Sequence, residues 1–161
     1  MKWSKLKKTI ESRFAPSVRG KVHLYSTQYG CQCGRAWITY EGKQIANFET
    51  ILNLERIHKH HEPTNEHGHV VIEPSARISG EAMARGEFSR WDLHQACWEF
   101  LNMSLEAALT SENPVILGLA FLDQRLGKQR ALSCVGEKLH PLAKVLLDLR
   151  VLEETRHQAD A

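Results

Sequence analysis

The chain has 161 residues and no long apolar run. Its longest, residues 114–122, falls far short of the ~18 residues that span a bilayer, so no membrane segment is expected. Residues 1–14 begin basic, but no apolar stretch follows, and a secretory leader is not expected either. Cysteine is scarce, with four residues. In a protein without a leader these are expected to stay thiols in the reducing cytoplasm. The ten glycines are scattered and form no G-x-x-x-x-G-K-S/T phosphate loop, and neither a G-x-S-x-G elbow nor a His-Glu-x-x-His pair occurs. Internal repeats and low-complexity segments are absent as well.

What is present is ordinary globular material, 42% hydrophobic and 25% charged, which excludes a disordered or collagen-like chain. A chain of this length buries about 70% of its unfolded surface, so one domain over residues 1–161 is expected without disulfide or metal staples. The net charge of +2 conceals an asymmetry. Residues 1–43 hold nine Lys or Arg against two Glu, a balance of +7, and the remainder carries −5. Such a chain can steer an acidic partner to its basic end. Alternatively, the two halves attract each other, or the lysines form a solvated helix face.

Trp3, Leu6, Ile10 and Phe14 recur at steps of three and four, predicting an amphipathic helix with Ser4 as its N-cap. Residues 21–27 then alternate as a strand, with Val22, Leu24 and Ser26 on one side and His23, Tyr25 and Thr27 on the other. A second strand is predicted over 35–40, and Glu41-Gly42 is a tight turn into a third over 43–48. Residues 49–78 read as a short helix and a His-rich loop. The part from 79 onward reads as helical. Ser89 and Asp92 form a capping box ahead of a helix of roughly 20 residues, with Trp91, His94, Trp98, Leu101, Leu105 and Ala108 facing inward. Asn113-Pro114 opens a helix through about Leu126. A last helix runs over 139–155 with a stripe of Leu142, Leu146, Leu149 and Leu152. The expected class is α+β: an N-terminal helix, a small antiparallel three-stranded β-meander and a helical C-terminal half.

Several motifs look familiar together. They are the Met1-Lys2-Trp3-Ser4-Lys5-Leu6 start, the strand 34–38, the segment 86–89, Trp98 to Asn102, Ser111-Glu112-Asn113-Pro114 and Leu122-Asp123-Gln124-Arg125-Leu126-Gly127-Lys128. The pattern resembles a family of small bacterial cytosolic proteins over roughly residues 1–50 and 86–130. The resemblance implies no activity, cofactor or catalytic residue, and it does not include the His-rich stretch 58–69.

That stretch gathers His58, His60, His61, His67 and His69, five of nine histidines. Imidazole is the commonest neutral metal ligand near pH 7, and zinc is the metal such a cluster would hold, with Glu62, Glu66, Cys31 and Cys33 as further donors. The spacing argues for a solvated polar loop instead. Cys31-x-Cys33 is tighter than structural zinc pairs, and Pro63 interrupts any helix after His61. No cofactor is otherwise expected.

His94 and Cys97, three apart on a helix, suggest a thiolate–imidazole pair, against the commoner outcome of a packed, hydrogen-bonded histidine. Cys97 and Cys134 are expected to act as small apolar residues. Asp123 and Arg125, two apart, are not expected to meet on a helix, and Lys128 and Arg130 fit a helix C-terminus. Lys5, Lys7, Lys8, Arg13, Arg19, Lys21 and Arg35 with Tyr25, Tyr29 and Trp37 would suit a nucleic-acid surface. A pI of 8.4 is mild for such a role. Three functional readings follow. The first is a non-catalytic cytoplasmic protein that acts by binding a protein partner. The second is a metal-binding protein or metal-dependent hydrolase using His58 to His69, and the third a nucleic-acid accessory factor using the basic first third.

Overall fold

The computed structural model describes residues 2–28, 34–49, 88–135 and 138–159. Its elements are α1 (Trp3–Ser12), β1 (Val22–Gln28), β2 (Gly34–Tyr40), β3 (Lys43–Glu49), α2 (Arg90–Leu101), α3 (Leu105–Leu109), α4 (Pro114–Leu122), α5 (Lys128–Ser133) and α6 (Pro141–Ala159). The expected α+β architecture is present, with an antiparallel sheet in the order β1-β2-β3 followed by helices. No helix among the described residues is long and apolar enough to cross a membrane.

The strands join because their alternation is satisfied on both faces. Val22 and Leu24 of β1, Ala36 and Ile38 of β2, and Phe48 of β3 turn inward. There they meet Leu6, Ile10 and Phe14 from the α1 region, Leu93, Ala96, Cys97 and Phe100 of α2, and Leu119 and Leu122 of α4. At the β2–β3 turn Glu41 and Gly42 both take positive φ, 48° and 78°. That left-handed pair matches the strand twist, and glycine reaches it without steric cost. Beside edge strand β1, α1 offers the Glu11 carboxylate, which accepts a hydrogen bond from the Leu24 amide at 2.8 Å. An otherwise exposed edge donor is thereby satisfied.

Four sequence expectations about helices change. The first helix begins at Trp3 after Lys2, not after Ser4, and no side chain caps it. The single long helix after Ser89 is two, α2 and α3. Asn102 donates from its side chain to the Trp98 carbonyl at 2.7 Å, and Ser104 caps α3 by accepting from the Ala107 amide. Such side-chain bonds to the backbone compete with helix propagation. The inward face of α2 is also different. Leu93, Ala96, Cys97 and Phe100 are buried, whereas Trp91 and Trp98 are exposed.

The third change is at the end of α4, which stops at Leu122 rather than Leu126. Asp123 is extended, and its carboxylate accepts from the Arg125 amide at 2.8 Å, closing a local turn. Asp123 and Arg125 therefore do meet, with Arg125 Nη2 2.8 Å from Asp123 Oδ2. Lys128 consequently opens α5 instead of closing the previous helix. The fourth change concerns α6, which buries Leu142, Ala143, Leu146, Leu147, Arg150 and Glu153 while Leu152 is exposed. Its apolar stripe thus continues as a buried charged one.

Candidate binding surface

The basic residues of the first third fall into separate neighbourhoods. On the outer face of the sheet, Tyr25 and Trp37 are cross-strand partners, stacked with ring centroids 5.2 Å apart. Lys7 Nζ lies 4.3 Å from the Tyr25 ring centre, and the Arg35 guanidinium lies 4.8 Å from that of Trp37. Stacked rings leave no room for a cation between them, so each cation covers an outer aromatic face. Arg35 also donates to Asn47 and Gln44. This ladder is satisfied within the protein and offers little ring surface on which a nucleic-acid base can stack.

Arg19 and Lys21 are committed to a different place. Arg19 donates to the Phe14 carbonyl and to Gln124, both at 2.8 Å. Lys21 pairs with Glu153, which is buried and also accepts from Tyr40 and, at 2.9 Å, from Arg156. Burial and the Glu153 carboxylate push the Tyr40 phenol up to about 12. These donors, with Lys21 foremost among them, outweigh the burial of Glu153 and hold its carboxyl below the usual range. Arg150 donates to the carbonyls of Phe121, Asp123 and Leu126 and to the Glu154 carboxylate. It satisfies carbonyls that the end of α4 leaves without helical partners. Here the segment 122–126 gets its structural purpose: it is the corner on which α1, α4 and α6 converge. Lys5 and Lys8 remain exposed on α1, and the Arg13 carbonyl accepts from the Gln124 amide.

A third neighbourhood lies toward the C-terminal end of β1. Ser26 continues the inward row of Val22 and Leu24, and that polar residue in an apolar row is the signal that another element must supply a polar partner. Arg90, which the sequence did not single out, donates from Nε to Ser26 Oγ at 2.9 Å. His94 Nε2 lies 2.8 Å from the same oxygen. Trp3 stacks on the His94 ring, centroids 4.2 Å apart. Burial, then the neighbouring Arg90 charge, lowers the His94 pKa to about 4, so its imidazole is neutral at pH 7. His94 is thus the packed, hydrogen-bonded histidine of the commoner expectation. Cys97 is fully buried and its thiol is pushed far up by burial, so the proposed thiolate–imidazole pair is not formed. Cys134 is half-buried at the end of α5.

The solvent side of α2 carries Trp91, 44% exposed, and Trp98, 48% exposed. Seven residues apart, they share one helix face. Gln95, exposed between them, donates to Glu99 at 2.8 Å. The Trp91 ring also lies 4.7 Å from the guanidinium carbon of Arg90. Arg90 is fixed from the sheet side too. A Cβ added at Gly34 would stand 2.6 Å from Arg90 Cδ and 2.3 Å from the Thr27 carbonyl oxygen. Only glycine allows that approach.

Tyr29, Cys31, Cys33, His58, His60, His61, His67 and His69 lie outside the described residues, as do the helix and loop expected over 49–78 apart from residue 49, which ends β3. Among the described residues no group of His, Cys, Asp and Glu is arranged to hold a metal ion.

Residues 2–151 match the model of the SF0329 protein family, a span that runs through the His-rich stretch which the resemblance left out. Neither a curated protein nor a solved structure matches the chain.

Proposed function

The chain belongs to the SF0329 protein family, and from the surface of α2 we propose that it is a cytoplasmic, non-catalytic binding protein that engages a protein partner. The observation that carries this reading is the pair Trp91 and Trp98, each nearly half exposed on one face of α2. Indole is the side chain most often found at the energetic centre of protein interfaces. Leu93, Ala96, Cys97 and Phe100 already fill the core side of the helix, so the two indoles add nothing to that core. They keep large apolar area in water until another surface covers it.

A photo-crosslinking side chain at position 95, between the indoles, tests the reading in cells. A discrete protein adduct is expected from this position. It should disappear in the Trp91→Ser, Trp98→Ser double variant and be absent when the crosslinker replaces Lys144 on α6. No adduct at position 95, or the same adducts from both positions, sinks the proposal.

A further inference from the structure

The guanidinium beneath Trp91 bears on what kind of segment this face receives. Arg90 is only 8% exposed, and its Nη1 is buried without a hydrogen-bond partner. Its partner in the fold is Ser26, a neutral hydroxyl. His94 beside it is also uncharged, and Asp92 on the same turn is engaged by the Ser89 amide at 2.5 Å in the capping box. Among the described residues no carboxylate forms an ion pair with Arg90, and burial lowers its pKa. A buried cation without a counter-charge is costly, and a carboxylate that fits its donor fork recovers much of that cost.

We infer that the α2 face receives an acidic peptide segment, one carboxylate reaching the Arg90 guanidinium while apolar neighbours rest on Trp91 and Trp98; this rests on the docking reading above. The capping box already occupies the N-terminus of α2, so the guanidinium rather than the helix end supplies the positive charge. The Trp91 indole lies against the guanidinium and is nearly half exposed, so its rotation is the route by which the incoming group would reach Arg90. Stacking of Trp3 on His94 brings the basic α1 against α2, and the +7 balance of residues 1–43 steers an acidic partner toward this end. The indoles are separated by ~10 Å along the helix axis. That matches anchors at i and i+7 of an amphipathic helix. Phosphate would also suit the guanidinium, but two exposed indoles seven residues apart on one helix face match the spacing of apolar peptide anchors, which favours a peptide over a nucleic-acid strand.

The test selects random peptides of about twelve residues on the intact protein, then titrates the enriched sequences by fluorescence anisotropy. Parent, Arg90→Gln, Arg90→Lys and the Trp91→Ser, Trp98→Ser double variant are compared, with circular dichroism confirming each fold. Enriched peptides are expected to place Asp or Glu beside Leu, Phe or Met. Their affinity should fall at least about tenfold with Arg90→Gln, and equally when their own Glu becomes Gln. Binding should vanish in the double tryptophan variant. If Arg90→Gln does not fold, the Glu-to-Gln peptides alone decide the point on the parent protein. Peptides that need the tryptophans but ignore both the Arg90 change and the loss of their own carboxylates overturn the acidic assignment and leave the docking face standing. No enrichment, or peptides indifferent to the tryptophans, overturns both. A deoxythymidine strand of ~20 nucleotides that binds more tightly than any peptide and is lost with Arg90→Gln reassigns the site to phosphate.

Discussion

Trp3 and His94 stack face to face, their ring planes within 8° of parallel, although one opens α1 and the other lies in the middle of α2. The indole covers an imidazole that also bonds Ser26, so one contact ties the first helix to α2 and, through it, to the third-from-last residue of β1. Burial, to which that stack adds, and the Arg90 charge keep His94 neutral at pH 7.

The pH dependence follows from this. A histidine whose pKa falls on folding binds more protons in the unfolded chain, so its stabilising contribution is complete above pH 6.5 and is lost as the pH falls toward about 4. Glu153 and Glu154, held low by their donors, add a second loss that begins near the usual carboxylate value and continues below it. Urea midpoints measured from pH 8 to pH 3 should therefore fall in two stages. In Trp3→Ala the first stage should shrink, and the His94 imidazole, followed by NMR, should titrate closer to 6.5. An unchanged titration would mean that Trp3 does not provide the cover.

The buried charges of α6 should be costly to remove singly. Glu153→Gln weakens a site that receives Lys21, Tyr40 and Arg156, and Arg150→Met strips the donor from three backbone carbonyls. Each change is expected to destabilise the protein by about 3 kcal/mol in equilibrium unfolding. Losses below about 1 kcal/mol would show that water replaces the network.

Opposite faces of α2 should respond differently. Leu93→Ala removes a fully buried side chain and is expected to cost 2–5 kcal/mol, whereas Trp98→Ser should stay within about 0.5 kcal/mol of the parent. A large loss from Trp98→Ser would place that indole in the core, and the docking surface would go with it.

Gly34→Ala forces a methyl group against the Thr27 carbonyl and Arg90 Cδ. The β1–β2 pairing or the Arg90 side chain must give way, at roughly 1–3 kcal/mol. Thermal unfolding measures the loss. A crystal structure of the variant should show Arg90 displaced from Ser26 or β1 and β2 spread at Thr27 and Gly34; both left undisturbed would contradict the close packing.

Where local chemistry was sufficient, the elements were legible. Glu41-Gly42 reads as a tight turn between alternating strands. Ser89 with Asp92, and Asn113 with Pro114, mark helix starts because side chains there satisfy amides that helices leave open. The inward rows of the strands follow from a period of two. The face of α2 was not legible, because Trp91, His94 and Trp98 recur with helical spacing just as Leu93, Ala96, Cys97 and Phe100 do. Period alone does not choose between two apolar stripes on one helix. The choice rests on which stripe meets the sheet and α4.

Long-range partners lay equally beyond the sequence. Asp123 ends α4 early because the chain turns there to pair with residues 13–15, and Arg150 is buried because that corner leaves carbonyls for it to satisfy. Arg90 carried no motif, and its importance appears once Ser26, His94 and Gly34 surround it. The sequence by itself determined the strands and the turn between the last two, the order of strands and helices, the Ser89 and Asn113 caps and the α+β class, since these depend on near neighbours. Tertiary structure alone decided which indoles face water, which charges are buried and which guanidinium has no counter-charge among the described residues, since each depends on contacts between residues far apart in the chain.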